Sequence, residues 1–196
     1  MLDTHRDKFS NLESLLAKIF KRLPLSPNAY TLLSFVAALA GFAALLNWEF
    51  WLALAFFVLA FLLDLIDGAV ARTKGLSSPE GAYWDTISDR YVEAILLFGL
   101  LFVNLPQFYL PSWAWIFLAL FGAMMTTYAK SAAKEKGLSD TELKGGLMSR
   151  AERLLFLALI IILLNYSQDW AVYLLALLAI LSNFTACQRI LTALRK

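Results

Sequence analysis

The chain has 196 residues, room for one domain, and 60% of them are hydrophobic, against roughly 45–50% in an average soluble domain. Its mean hydropathy of +0.66 excludes a soluble globule of this length, which has too little interior for that much apolar surface, and indicates a polytopic membrane protein. The formal charge of +2 says little by itself, but one cysteine, Cys187, and one histidine, His5, exclude an internal disulfide, a thiolate zinc cluster and histidine metal chemistry.

Taken in order, residues 4–23 are amphipathic. Phe9, Leu12, Leu16, Ile19, Phe20 and Leu23 fall at helical spacing, with Lys8, Lys18, Lys21 and Arg22 elsewhere on the wheel. This fits a helix lying in a membrane interface or, equally, one packed on another part of the protein. The polar, charged start predicts no cleavable signal peptide. Pro24 and Pro27 end the segment, and Ser26-Pro27-Asn28 predicts the beginning of the next helix. Six apolar runs of near-spanning length follow, over residues 29–47, 50–71, 82–104, 112–134, 147–165 and 169–193. The connections after the first, third and fifth runs contain no Lys or Arg; all 17 basic residues fall on the other side. Cytoplasmic loops carry the basic excess, which predicts both termini in the cytoplasm. Trp48, Trp51, Trp113, Trp115 and Trp170 mark the opposite interface as an aromatic belt. The loop 136–149, with Gly137, Gly145 and Gly146, predicts a flexible lid. The expected fold is therefore an all-α integral membrane protein: an interfacial amphipathic N-terminal helix in residues 1–25, then a domain of six transmembrane helices in residues 26–196.

The stretch from Asp64 to Arg90 carries the chemistry. Asp64 and Asp67 are three residues apart near the end of the second run, and Asp85 and Asp89 are four apart at the start of the third. Each pair shares a helix face. If the two helix ends abut, four carboxylates converge, which suits one or two hard divalent cations, Mg²⁺ or Mn²⁺, held through oxygen. Gly68 and Gly81 remove side chains where a ligand must come close, and Arg72 can fork onto phosphate oxygens. Carboxylates in membrane helices also belong to ion pathways, so a cation-coupled transporter is the competing reading. The position of all four at the cytoplasmic end, away from the midplane, weighs against it.

Read together, the stretch is D-x-x-D-G-x-x-A-R, eight residues, then G-x-x-x-D-x-x-x-D. It resembles, position for position, the signature of the CDP-alcohol phosphatidyltransferase family. The resemblance implies a Mg²⁺- or Mn²⁺-dependent enzyme, with two ions, that transfers a phosphatidyl-type group from a CDP-linked lipid (CDP-diacylglycerol or CDP-archaeol) to an alcohol and releases CMP. It implies Asp64, Asp67 and Asp85 as metal ligands, Asp89 as both near a metal and the general base, and Gly68, Arg72 and Gly81 as the cytidine diphosphate cradle. Ser78 stands where relatives often carry a small hydroxyl residue near the nucleotide. Pro27-Asn28-Ala29-Tyr30-Thr31 resembles the family's P-N-x-x-T, which also borders the nucleotide; Asn28 and Thr31 read by themselves are equally a helix cap and a satisfied membrane hydroxyl. The resemblance further implies a homodimer and no nucleic-acid partner.

A second cluster, Lys130, Lys134, Arg150, Arg153 and Arg189, fits the positive-inside rule and contact with lipid headgroups. Arg150 and Arg153, however, share one face at the start of an apolar run, and an arginine pair at a helix N-terminus suits phosphate. The acceptor is thus expected to carry its own phosphate, held by Lys130, Arg150, Arg153 and Arg189. The segment GGLMSRAERLLFL looks like the G-x-x-x-R-x-E-R-L region of the phosphatidylinositol phosphate and archaetidylinositol phosphate synthase branch. YAKSAAKEKG resembles that branch's Y-x-K-A-x-A-E-x-x-G, with Ser131 and Lys134 in place of the usual Ala and Glu. Inositol phosphate is the expected acceptor. Glycerol 3-phosphate is the main rival, and a CDP-inositol donor is conceivable.

Overall fold

A computed structural model of the chain describes residues 26–138 and 146–195. The amphipathic segment 4–23, and with it the proposed first domain 1–25, lies outside the described residues. These residues form six helices and fall into two compact units, residues 26–103 and 104–195.

The first unit holds α1 (Pro27–Leu46), α2 (Phe50–Lys74) and α3 (Pro79–Leu100). α1 starts where its sequence signals, with the Ser26 hydroxyl accepting from the Ala29 amide at 3.3 Å and Pro27 in the first turn. Its buried residues, Tyr30, Ser34, Ala37, Ala38, Ala44 and Leu45, make one stripe at helical spacing. That stripe packs against both α2 and α3. α2 ends at Gly75, which adopts the left-handed conformation (φ 66°) and donates its amide back to the Arg72 carbonyl. α3 repeats the opening of α1: the Ser78 hydroxyl accepts from the Gly81 amide at 3.0 Å, and Pro79 follows.

The register of α2 decides where its carboxylates go. Phe50, Ala53, Phe57 and Ala60 form its buried stripe by alternating steps of three and four, and the next two positions in that rhythm are Asp64 and Asp67. The stripe that packs the helix thus turns two carboxylates inward. α3 does the same with Asp89 and Glu93, which precede Leu96, Leu97 and Leu100 on its buried face.

The second unit holds α4 (Ser112–Glu135), α5 (Arg150–Leu164) and α6 (Gln168–Leu194). α6 packs on both of the others. Beyond Trp115 and Ile116, the buried face of α4 is built of small residues, Ala119, Gly122, Ala123, Thr126, Ala129 and Ala133, which lets α6 come close. α5 opens with a capping box: the Ser149 amide donates to Glu152 Oε2 at 2.6 Å, and the Glu152 amide to Ser149 Oγ at 3.4 Å. The first buried residue of α5 is Arg153, in register with Leu157, Ile160, Ile161 and Leu164.

Four helices, α1 from Asn28, α2, α4 and α6, are long and apolar enough to cross a membrane. α3 carries Glu80, Asp85, Asp89, Arg90 and Glu93, and α5 has only 15 residues, a rise of about 22 Å against a hydrocarbon core of about 30 Å. The aromatic belt needs one correction. Trp48, Trp51, Trp113 and Trp170 are exposed, but Trp115 is buried, and its indole donates to the Phe108 carbonyl at 2.7 Å. A buried indole N–H needs an acceptor, and here it closes the turn before α4.

Candidate functional site

Asp64 and Asp67 of α2 and Asp85 of α3 each offer a carboxylate oxygen, and these oxygens all lie within 4.8 Å of one another. Asp64 and Asp67 are buried; Asp85 is half-buried. Two full negative charges at that spacing repel by about 3–4 kcal/mol at the effective dielectric of a protein site. A divalent cation among the oxygens relieves that repulsion, and an all-carboxylate donor set suits magnesium or manganese. The residues therefore fit the metal their spacing predicts. Thr31 Oγ1 donates to Asp67 Oδ2 at 2.6 Å, so α1 fixes the orientation of one carboxylate of the group.

Asp89 is not one of these three. It is buried one turn beyond Asp85, with Oδ2 3.8 Å from Arg90 Nη2. Arg90 in turn pairs with Glu93, Nη1 to Oε2 at 2.9 Å. Sequence reasoning missed Glu93, only 2% exposed. Its signal was available: 85, 89 and 93 continue one four-residue spacing along α3.

A cavity of about 470 Å³ adjoins the carboxylates, within the size range of small-ligand sites. Its lining includes Asp67, Asp85 and all six residues predicted to meet the nucleotide: Asn28, Thr31, Gly68, Arg72, Ser78 and Gly81. The two glycines act differently. A Cβ on Gly68 would lie 3.2 Å from Arg72 Nη1, so this glycine lets the guanidinium fold back over α2. Among the described residues, a Cβ on Gly81 would meet only Ser78 Oγ, at an ordinary 3.4 Å, so a longer side chain there would reach into the cavity. The Ser78 oxygen already accepts from the Gly81 amide as the cap of α3.

A second groove of about 460 Å³ runs between α1 and α3. It shares Asn28, Thr31 and Trp84 with the polar cavity and is otherwise lined by Leu32, Phe35, Ile87, Ser88 and Tyr91. Sequence reasoning did not single it out. Every membrane-facing helix carries such residues, so composition gives no signal.

In the second unit the predicted phosphate-binding residues partly converge. Arg153, 2% exposed, points Nη1 at Thr126 Oγ1 (3.4 Å), and Arg189 Nη1 donates to the Thr126 carbonyl at 2.7 Å. Lys130 lies one turn beyond Thr126 on α4, and Arg150 is the first residue of α5. The predicted lid over 136–149 is fastened at its end. The Leu147 amide donates to Gln188 Oε1 at 3.2 Å and the Met148 amide to Thr185 Oγ1 at 3.0 Å, and Gly146 sits against Thr185 with φ 113°. Residues 139–145 of that loop lie outside the described residues.

Residues 24–183 match the sequence model of the family described as CDP-alcohol phosphatidyltransferase. The chain belongs to this family. It is similar to the archaetidylinositol phosphate synthase of Pyrococcus horikoshii, with 32% identity over 100% of this chain and 98% of the relative. Its fold matches the phosphatidylinositol phosphate synthase of Mycobacterium tuberculosis in two crystal structures. One has CDP-DAG bound (TM-score 0.80, 24% identity, 93% of this chain and 94% of that one). The other is in complex with manganese and citrate (TM-score 0.78, 25% identity, 93% and 88%). The chain is accordingly a membrane enzyme of phospholipid biosynthesis, a divalent-metal-dependent phosphatidyltransferase. Family membership sets the transporter reading aside.

Proposed function

We propose that this enzyme transfers a phosphatidyl-type group from CDP-diacylglycerol or CDP-archaeol to a hydroxyl of an inositol phosphate, with release of CMP. The observation that carries the proposal is the group Asp64, Asp67 and Asp85 beside a cavity lined by Gly68, Arg72 and Gly81. In this reading Asp64, Asp67 and Asp85, with Asp89 one turn on, hold two divalent cations, whose bound charge neutralises the donor pyrophosphate. Asn28, Thr31, Gly68, Arg72, Ser78 and Gly81 surround the cytidine diphosphate. The groove of Leu32, Phe35, Ile87 and Tyr91 continues from the same cavity and supports a donor that keeps an apolar chain.

Asp89 is the general base. It takes the proton of the acceptor hydroxyl as that oxygen bonds to the β-phosphorus; the bond from that phosphorus to the bridging oxygen breaks, and CMP leaves with the electron pair. Arg72 faces the leaving phosphate. Lys130, Arg150, Arg153 and Arg189 receive the acceptor's own phosphate. Convergence of Arg153 and Arg189 on Thr126, together with the inositol phosphate products of the related synthases, supports this acceptor.

The same proposal covers the membrane arrangement. It takes in six spans behind an interfacial helix in residues 1–25, with both termini cytoplasmic, a reading supported by the placement of the basic residues, and a homodimeric assembly, supported by family resemblance. Asp89 and Glu93 of α3 are buried and Glu80 lies in its first turn, so the charges on α3 do not disqualify it as a span.

The test uses purified protein in lipid nanodiscs with either CDP-lipid, Mg²⁺ or Mn²⁺, and inositol phosphate, glycerol 3-phosphate, serine or free inositol. CMP release with inositol phosphate alone is expected. Turnover only with glycerol 3-phosphate refutes the acceptor assignment, and no CMP with any acceptor refutes the enzyme reading.

A further inference from the structure

Arg153 and Arg189 belong to different helices, α5 and α6, yet both reach one residue of α4. Thr126 is fully buried and offers each arginine a different atom. Its carbonyl, which has two lone pairs, accepts from Arg189 Nη1 at 2.7 Å. Its hydroxyl oxygen lies 3.4 Å from Arg153 Nη1. The single hydroxyl proton is donated to the Ala123 carbonyl at 2.7 Å, so what Thr126 turns toward Arg153 is a lone pair, the polarity a guanidinium requires. Gly146, just before α5, lies close to Arg189: a Cβ there would be 3.7 Å from Arg189 Nε. Long arginine side chains lose rotamer freedom when they close on an anion, and a group that holds them beforehand removes part of that penalty.

The geometry points to Thr126 as a positioning residue that holds Arg153, together with Arg189, as a preset guanidinium pair for the acceptor's phosphate; this rests on the acceptor assignment proposed above. Thr126 does not touch the acceptor itself. Its hydroxyl acts through Arg153, its carbonyl through Arg189, and only the hydroxyl is removed by a side-chain substitution.

The experiment measures CMP release in nanodiscs against inositol phosphate and against CDP-lipid for wild type, Thr126→Val, Thr126→Ser, Arg153→Ala and Arg189→Ala. Thr126→Val keeps the shape and removes the hydroxyl. It is expected to raise KM for inositol phosphate about 5- to 10-fold, to change kcat and KM for CDP-lipid less, and to be restored by Thr126→Ser. Thr126→Ala carries the same expectation if the valine variant fails to fold, with folding followed by thermal unfolding. If Arg153→Ala raises KM for inositol phosphate while Thr126→Val leaves it unchanged, the positioning role is wrong and the acceptor assignment stands. If both arginine variants leave that KM unchanged, the acceptor assignment falls and the role of Thr126 with it. Equal loss across kcat and both KM values, unrescued by serine, overturns positioning in favour of general packing.

Discussion

Thr31→Val tests how the carboxylate group is built. Valine keeps the size and branching of threonine and removes one hydroxyl, the group that donates to Asp67 Oδ2 at 2.6 Å across 36 residues of sequence. A hydrogen bond to a charged group contributes about 1.5–3 kcal/mol. At about 1.4 kcal/mol per decade, its loss weakens the affinity of the group for its cation by about 10- to 100-fold, the range seen when outer partners of metal ligands are removed. The assay is CMP release against Mn²⁺ concentration at saturating CDP-lipid, with direct Mn²⁺ binding by electron paramagnetic resonance. Half-saturation by Mn²⁺ is expected to move up by that factor, with KM for CDP-lipid changing less. The opposite result, unchanged metal dependence and a raised KM for CDP-lipid, would mean that Thr31 acts on the nucleotide alone and that its bond to Asp67 is incidental.

Asp89→Asn should lower kcat by about 10²- to 10⁴-fold, the usual contribution of a positioned base, while Mn²⁺ still binds; full turnover in this variant would remove Asp89 as the base. Gly81→Leu should raise KM for CDP-lipid by tenfold or more while unfolding at the wild-type temperature. Among the described residues, a Cβ there meets only Ser78 Oγ at 3.4 Å, and the rest of the side chain extends into the cavity; an unchanged KM would place the nucleotide elsewhere. Gly122→Ala should destabilise the second unit. A Cβ there would come within 2.8 Å of the Asn183 backbone nitrogen and Ser182 Cβ, so α4 and α6 must part and strain the 2.8 Å bond from Asn183 Nδ2 to the Leu118 carbonyl. Overpacking of this kind costs about 1–3 kcal/mol. A lowered unfolding midpoint in detergent checks it, and an unchanged midpoint would show that the two helices can separate freely.

Much of this enzyme was legible in the chain itself, for a specific reason. Helical periodicity is a local property, so the stripe Phe50, Ala53, Phe57 and Ala60 already implies that Asp64 and Asp67 point inward, and Leu157, Ile160 and Leu164 imply the same for Arg153. Caps are local too, and Ser26-Pro27 begins its helix as read. The spacing of four aspartates, two glycines and Arg72 resembles the family signature position for position, so the family was legible before the fold. Other features had no local trace. Trp115 looks like any belt tryptophan until the Phe108 carbonyl is seen to accept its indole proton. Ser78-Pro79 did carry a local signal, that of a helix start, but was read only as a nucleotide neighbour; the Ser78 oxygen accepts from the Gly81 amide as the cap of α3.

The sequence by itself determined an α-helical membrane enzyme with an aspartate-rich motif and the residue types its chemistry needs, since composition, period and spacing are properties of neighbouring residues. Only the tertiary structure decided which of those residues meet. Thr31 reaches Asp67 across 36 positions, Arg153 reaches Thr126 across 27 and Arg189 reaches it across 63. A hydrogen bond between distant helices depends on how those helices pack. Packing depends on small residues such as Gly122, whose role appears only when Ser182 and Asn183 are set against it.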